Sequence, residues 1–182
     1  MKTMQYIFTC CSLSVLLFSC DSFLDENPKG VLSNEQLNTP ENVEKMVIAA
    51  YSSLGNDHYT EPNSPWPYGD LRSGDAYKGG AGTGDLQEFH FYETFTYLRD
   101  DIGLLDSKWY KEYVAISRAN NALARLNAID EADFSKKMIR IAEMRFLRAH
   151  YYFELKLLFK QIPFIDETVP VEEYINVSNV EF

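Results

Sequence analysis

Glu143-Met144-Arg145-Phe146-Leu147-Arg148-Ala149-His150-Tyr151-Tyr152-Phe153-Glu154-Leu155 carries the architecture of this chain. Extended back to Ala142 and on to about Lys160, it repeats apolar residues at spacings of three and four, the period of an α-helix. Ala142, Phe146, Ala149, Phe153 and Leu157 make one stripe, and Met144, Leu147, Tyr151, Leu155 and Leu158 make another. A helix with two apolar stripes has to be covered twice. Such double coverage fits the inner helix of a stacked helical array, in which each pair packs on its neighbours. Arg145 and Arg148 lie about one turn apart on this largely apolar rod. A buried guanidinium needs an anionic partner, so loop carboxylates are expected beside them.

Upstream of the polar break Asp130-Glu131-Ala132-Asp133, the spacing predicts a helix from about Ser107 to Asn127. Trp109, Tyr113, Ile116, Ala119, Leu123 and Leu126 share its apolar face, and Asp106 or Ser107 can cap it. Earlier still, Thr39-Pro40-Glu41 supplies a cap, a first-turn proline and a first-turn acid. The helix that begins there carries Val43, Met46, Val47, Ala50, Tyr51 and Leu54 on one face until Gly55 stops the pattern. Residues 55–105 lose the helical period and gather Gly, Pro, Asp and aromatics. A loop of that length is functional or disordered, and its rings argue against disorder. At least three repeats normally close a helical stack, and this chain holds one pair and part of another. Its last residues, Ile175 to Phe182, show no capping pattern, so a fragment of a longer protein is expected.

The first twenty residues read as an address. Met1 and Lys2 precede an apolar run, from Tyr6-Ile7-Phe8 to Leu16-Leu17-Phe18, of signal-peptide rather than membrane-spanning length. The run ends in Leu17-Phe18-Ser19-Cys20, which is similar to a lipobox; residues 1–19 are the expected signal peptide and Cys20 the acylated first residue of the mature chain. Acyl chains supply about 0.8 kcal/mol per buried methylene, so a multiply acylated Cys20 would moor the protein without a transmembrane helix. The three cysteines are Cys10, Cys11 and Cys20, which leaves none to cross-link the body of the fold. The formal charge of −10 argues against nucleic acid, whose binders need a basic face. A neutral glycan is not disfavoured by it. Aromatics make up 14 % of the chain, more than a small core requires, so some rings are expected to face a ligand or partner.

Four features, in order, resemble the start of SusD/RagB-family lipoproteins. Cys20 is followed by Phe23-Leu24-Asp25-Glu26-Asn27-Pro28, similar to the family's opening. Ala49-Ala50-Tyr51-Ser52-Ser53-Leu54 is similar to its first helix end, and Trp109 through Tyr113, Ile116 and Arg118-Ala119-Asn120 to its second helix. Glu143 through Leu155, running on to Ile162-Pro163, is similar to its Ala-Arg-Phe-Leu-Arg-Ala helix and the turn that follows, with Lys160 standing where the family favours glycine. The resemblance implies an all-α fold of tetratricopeptide-like helix pairs with long irregular loops, here incomplete, over residues 20–182. It further implies a glycan-binding protein of the outer membrane that faces the exterior. Its partners would be an oligosaccharide or polysaccharide and a SusC-like TonB-dependent transporter, with the lipid anchor its only membrane contact. No enzyme activity and no cofactor are expected.

A glycan site needs flat rings to stack on sugar C–H faces, and amides, carboxylates or guanidinium groups for the hydroxyls. Trp66, Tyr68, Asp70, Arg72, Asp75 and Tyr77 form one candidate cluster, and Tyr92, Phe95, Tyr97, Arg99 and Asp101 another. The competing reading of any one ring is packing on the scaffold or on the transporter. Asn120 and Asn121 interrupt an amphipathic helix and are expected to bond to a neighbouring helix or loop. Gly79 to Gly84 lacks the Gly-Lys-Ser/Thr of a phosphate cradle and is expected to be a flexible tip. His58, His90 and His150 are isolated, which supports neither a metal site nor a triad. A surface glycoside hydrolase stays open as an alternative, because two acids at catalytic distance leave no sequence signature. So does a structural lipoprotein subunit without glycan affinity.

Overall fold

The computed structural model describes residues 34–55, 58, 62–96 and 103–181. The elements are α1 (Asn34–Leu37), α2 (Pro40–Ser52), α3 (Asp70–Ser73), α4 (Gln87–Thr94), α5 (Gly103–Ala128), α6 (Lys137–Phe159), β1 (Gln161–Pro163) and β2 (Asn179–Glu181). Short 3-10 turns at Ser53–Gly55 and Val171–Asn176 complete them. Among the described residues the protein is all-α apart from a two-stranded antiparallel ribbon in which Gln161 faces Glu181 and Pro163 faces Asn179. One compact unit runs from Glu35 to Phe182.

The start of α2 follows from three consecutive residues. Thr39 is extended (φ −96°, ψ 147°) and its side chain accepts from the Asn42 N–H at 3.4 Å, Pro40 occupies the first turn, and Glu41 pairs with Lys45 at 2.7 Å. Val43, Val47 and Ala50 are buried, but Tyr51 and Leu54 are exposed. Leu54 lies in the 3-10 turn, whose tighter winding carries it off the stripe, and Tyr51 falls at the stripe's edge.

Helices α5 and α6 are antiparallel, as three facing pairs show. Lys108 meets Glu154, Tyr113 meets Tyr152, and Asn120 meets Arg148. Helix α2 lies across both and runs with α6. Arg140 pairs with Glu44 and the Tyr151 hydroxyl donates to the Ala50 carbonyl at 2.7 Å. Against α5 its order is reversed: Arg118 reaches Ser53 at 3.0 Å and Arg125 reaches Asn38 at 3.2 Å. The core is built where the three meet, from Val47 and Ala50, from Ile116, Ala119, Leu123 and Leu126, and from Met144, Leu147, Tyr151 and Leu155.

Two expectations are corrected here. Only one stripe of α6 is covered among the described residues. Met144, Leu147, Tyr151 and Leu155 are buried, whereas Phe146 is 74 % exposed, Phe153 59 % and Leu157 61 %. The segment 55–105 is also less irregular than its composition suggests. It contains α3, α4 and the first turn of α5, and Tyr68, Leu71, Phe89, Tyr92 and Leu104 pack there into a second, smaller core. α3 is a single turn and α4 only two, too short to show a period in sequence. Helix α5 accordingly starts at Gly103, and Asp106 sits inside its first turn rather than capping it.

Helix α6 ends on Lys160 at positive φ (φ 61°, ψ −65°), whose N–H donates to the Lys156 carbonyl. A side chain at that backbone angle is strained, which explains why a glycine suits this turn. Lys160→Gly is expected to raise the unfolding free energy by roughly 0.5–1 kcal/mol in urea denaturation, with an unchanged m-value.

Candidate functional site

The aromatic segment is fastened to the helix pair at both a ring and a backbone group. Tyr68 donates from its hydroxyl to the Leu104 carbonyl at 2.8 Å, and Lys108 Nζ donates to the Asn63 carbonyl. On this footing the two sequence clusters become one ring assembly. Trp66 stacks on Phe89 at 5.3 Å and 17°, Tyr68 meets Tyr92 edge-on at 6.1 Å, and the Arg72 guanidinium lies over Tyr92 at 6.0 Å and over Phe95 at 5.1 Å.

The candidate residues divide by exposure. Tyr68 and Tyr92 are buried in the smaller core, with their faces covered by neighbours, so they build the platform and offer no surface to stack on. Trp66 and Arg72 are half-buried, while Tyr77 is 78 % exposed and Phe95 58 %. Asp70 and Asp75 are exposed at the two ends of α3, where Asp75 accepts from the Ser73 hydroxyl at 2.8 Å. Tyr97, Arg99 and Asp101 lie outside the described residues, as do Cys20, the signal segment and the Phe23–Pro28 motif.

Phe95 is unusual in its backbone as well. It terminates α4 in the left-handed region (φ 56°, ψ 31°), and its N–H donates to the Phe91 carbonyl. Bulky residues seldom adopt this conformation, and strained positions of this kind cluster at functional sites. Here the strain holds a ring in solvent beneath Arg72. The glycine loop is not the loose tip expected of it. Lys78 Nζ donates to the Gly82 carbonyl at 2.8 Å and the Ala81 N–H to Asp85 Oδ2 at 3.0 Å. Glycine suits position 80 because its φ of 79° strains any side chain, and a Cβ there would also crowd the Asp85 carboxylate.

A group that the sequence did not flag lies below the aromatic segment. Lys108 and Glu112 are each 1 % exposed and pair at 2.7 Å, and Lys108 also reaches Glu154 on α6 at 3.3 Å. The i,i+4 spacing of Lys108 and Glu112 ordinarily marks a solvated pair on a helix surface. The signal that could have found them is their place on the stripe that continues through Ala115, Ala119 and Leu123. Burial pushes the Glu112 carboxyl above its usual range, against the pull of Lys108. Among the described residues no group of three or more His, Cys, Asp or Glu is placed to hold a metal, and no helix is long and apolar enough to cross a membrane.

A family model described as SusD-like, starch-binding and associating with the outer membrane matches residues 22–180. The chain belongs to this family. It is similar to SusD-like protein P2 of Formosa agariphila, 31 % identical over 168 residues, covering 91 % of this chain and 32 % of that protein. SusD-like protein P25 of the same organism is 25 % identical over 178 residues, covering 92 % of this chain and 31 % of its own. The chain thus spans about a third of the length of these curated relatives.

In this SusD-like chain the motif residues of α5 and α6 tie down the segment after β1. Asn120 Nδ2 donates to the Ile165 carbonyl at 2.9 Å, and Arg148 Nη1 donates to Asn120 Oδ1 at 2.8 Å and pairs with Glu167. Asn120 and Arg148 therefore meet the loop partners expected of them. Arg145 is exposed.

The ion cluster makes opposite predictions for its members. Lys108→Met leaves two carboxylates facing each other in a dry site and is expected to cost about 3–5 kcal/mol at pH 7, a loss that shrinks on acidification as they take up protons. Glu112 holds its proton more tightly folded than unfolded. Its contribution to stability is therefore full below the ordinary carboxylate value of 4.5 and is lost as pH rises through the raised folded value. Glu112→Gln should leave stability at pH 7 unchanged or higher and flatten its pH dependence above 4.5, as read by urea unfolding across a pH series.

Proposed function

We propose that this chain is the N-terminal helical part of a cell-surface glycan-capturing lipoprotein that passes oligosaccharides to a partner TonB-dependent outer-membrane transporter. The observation that carries this reading is the exposed Phe95 ring under the Arg72 guanidinium, which also lies over the buried Tyr92 ring, with Tyr77 a second exposed ring of the same segment. Rings of this kind stack on the C–H faces of sugars, and Arg72, Asp70 and Asp75 supply fork and carboxylate partners for their hydroxyls. Trp66, half-buried and stacked on Phe89, and Tyr97, Arg99 and Asp101, which follow Phe95 in sequence, complete the proposed set. Capture needs no bond to break, so the bound oligosaccharide is returned intact and no cofactor enters.

Residues 1–19 serve as the signal and Cys20 as the lipid anchor, which places residues 20–182 on the outer face of the outer membrane. The uncovered stripe of Phe146, Phe153 and Leu157 supports a tetratricopeptide-like stack in which further helices of a longer protein pack on α6.

Tyr77→Ala and Phe95→Ala should each weaken oligosaccharide binding by about 1–3 kcal/mol in calorimetry, with Trp66→Ala smaller, and no reducing ends should appear during incubation. Unchanged affinity in all three variants would discard the surface, and released reducing sugar would mark a hydrolase instead. Cys20→Ser is expected to move the protein from the membrane to the soluble fraction and to abolish fatty-acid labelling.

A further inference from the structure

Arg118, Asn121 and Arg125 are spaced three and four residues apart on one face of α5. Together with Leu37, Met46 and Ala49 they line a cavity of about 330 Å³. We propose that this cavity is a subsite for one acidic sugar residue, held through its carboxylate or sulfate group. The inference rests on the glycan reading above and deepens it by naming an acidic sugar within the captured chain.

Arg118 is half-buried, and no carboxylate answers its charge among the described residues. Other half-buried arginines of the helical body are neutralised: Arg140 pairs with Glu44 and, at 2.7 Å, with Glu143, and Arg148 pairs with Glu167. Arg118 meets hydroxyls only. Its Nη1 donates to Ser53 Oγ at 3.0 Å and to Ser52 Oγ at 3.4 Å, at the end of α2. A guanidinium carries five N–H donors in one plane, so holding α2 engages a single nitrogen of the fork. Nε and Nη2 have no acceptor among the described residues. Asn121, exposed on the next turn, has no hydrogen bond among them either, although an asparagine in this helix was expected to find a neighbouring helix or loop. Arg125, bonded to Asn38 at 3.2 Å, adds a second guanidinium to the cavity wall.

Charge then selects the occupant. Two guanidinium groups, with no carboxylate among the described residues that line the cavity, favour an anion. The edge formed by Nε and Nη2 matches two oxygens of a carboxylate or a sulfate, a bidentate and charge-assisted contact. The rest of the wall chooses what bears the anion. Leu37, Met46 and Ala49 offer apolar surface to ring C–H groups, and the Asn121 amide both donates to and accepts from hydroxyls. Small-molecule sites run from about 300 Å³ upwards, so this cavity holds one sugar residue rather than a length of chain. The formal charge of −10 on the whole protein works against a densely charged polymer. The acidic group therefore recurs sparsely along an otherwise neutral glycan.

The test is heteronuclear NMR of the chain carrying Cys20→Ser, followed at the Arg118 Nε–H and the Asn121 side-chain amide during titration with glucuronate, galacturonate, glucose 6-sulfate, glucose and acetate. At least one acidic sugar is expected to give saturable millimolar shifts at both groups, with glucose silent there and acetate weaker by roughly tenfold or more. Arg118→Gln is expected to weaken the response, read at Asn121, by a similar factor. If that variant fails to fold, Asn121→Ala, which breaks no hydrogen bond among the described residues, is expected to weaken it severalfold at Arg118. Response to the uronates alone assigns a carboxylate, to glucose 6-sulfate alone a sulfate, and to both the oxyanion they share; each supports the site. Equal response to glucose would overturn the charge argument, equal response to acetate would overturn the sugar ring, and either removes the subsite. Acidic sugars that shift only Trp66, Tyr77 and Phe95 would overturn the subsite and leave the glycan reading standing. Silence of every residue towards acidic sugars and neutral oligosaccharides alike would remove both.

Discussion

The ammonium of Lys108 is 1 % exposed where three parts of the chain meet. It bonds Glu112 on its own helix, Glu154 on the antiparallel neighbour and the backbone carbonyl of Asn63. Removing a lysine from water is costly unless every proton finds an acceptor, so this arrangement tolerates one relative placement of α5, α6 and the Asn63–Trp66 turn. The register of the helix pair, the seating of Tyr68 against Leu104 and the ring platform above it all descend from that placement.

Tyrosine hydroxyls repeat the device elsewhere. Tyr151 is bonded to Ala50, Tyr113 donates to the Pro163 carbonyl at 2.8 Å, and Tyr152 both donates to and accepts from the backbone of Ile165 at 2.7 Å. Burial pushes Tyr151 and Tyr152 up to about 12 and raises Tyr113 as well, so all three stay protonated and able to donate around neutral pH. The scaffold is thus held by hydroxyl-to-carbonyl ties between elements far apart in sequence, and its surface is left to carry function.

The long helices were legible because period and caps agree over many residues: Thr39-Pro40-Glu41 and the α5 and α6 stripes each point to one structure. Where the reading stopped short, the cause is physical in each case. The stripe through Phe146 and Phe153 was legible as apolar, but periodicity says only that a face wants cover, not what supplies it. The helices between Gly55 and Gly103 are one or two turns long and are stabilised by tertiary contacts, such as Leu71 and Phe89 meeting Leu104, that no local pattern records. The ring residues were found by composition, yet composition could not separate Tyr68 and Tyr92, which pack, from Tyr77 and Phe95, which face solvent. The Lys108–Glu112 pair was hidden by a spacing that exposed helices use equally well.

Arg118 grips Ser53 from α5, and Lys108 grips Asn63 from the same helix ten residues earlier. Ser53, at the exit of α2, and Asn63, at the entry to the ring platform, are therefore both moored to one rigid rod. A tilt of that rod would thus be felt at both places at once, so the exit of α2 and the entry to the ring platform move together or not at all.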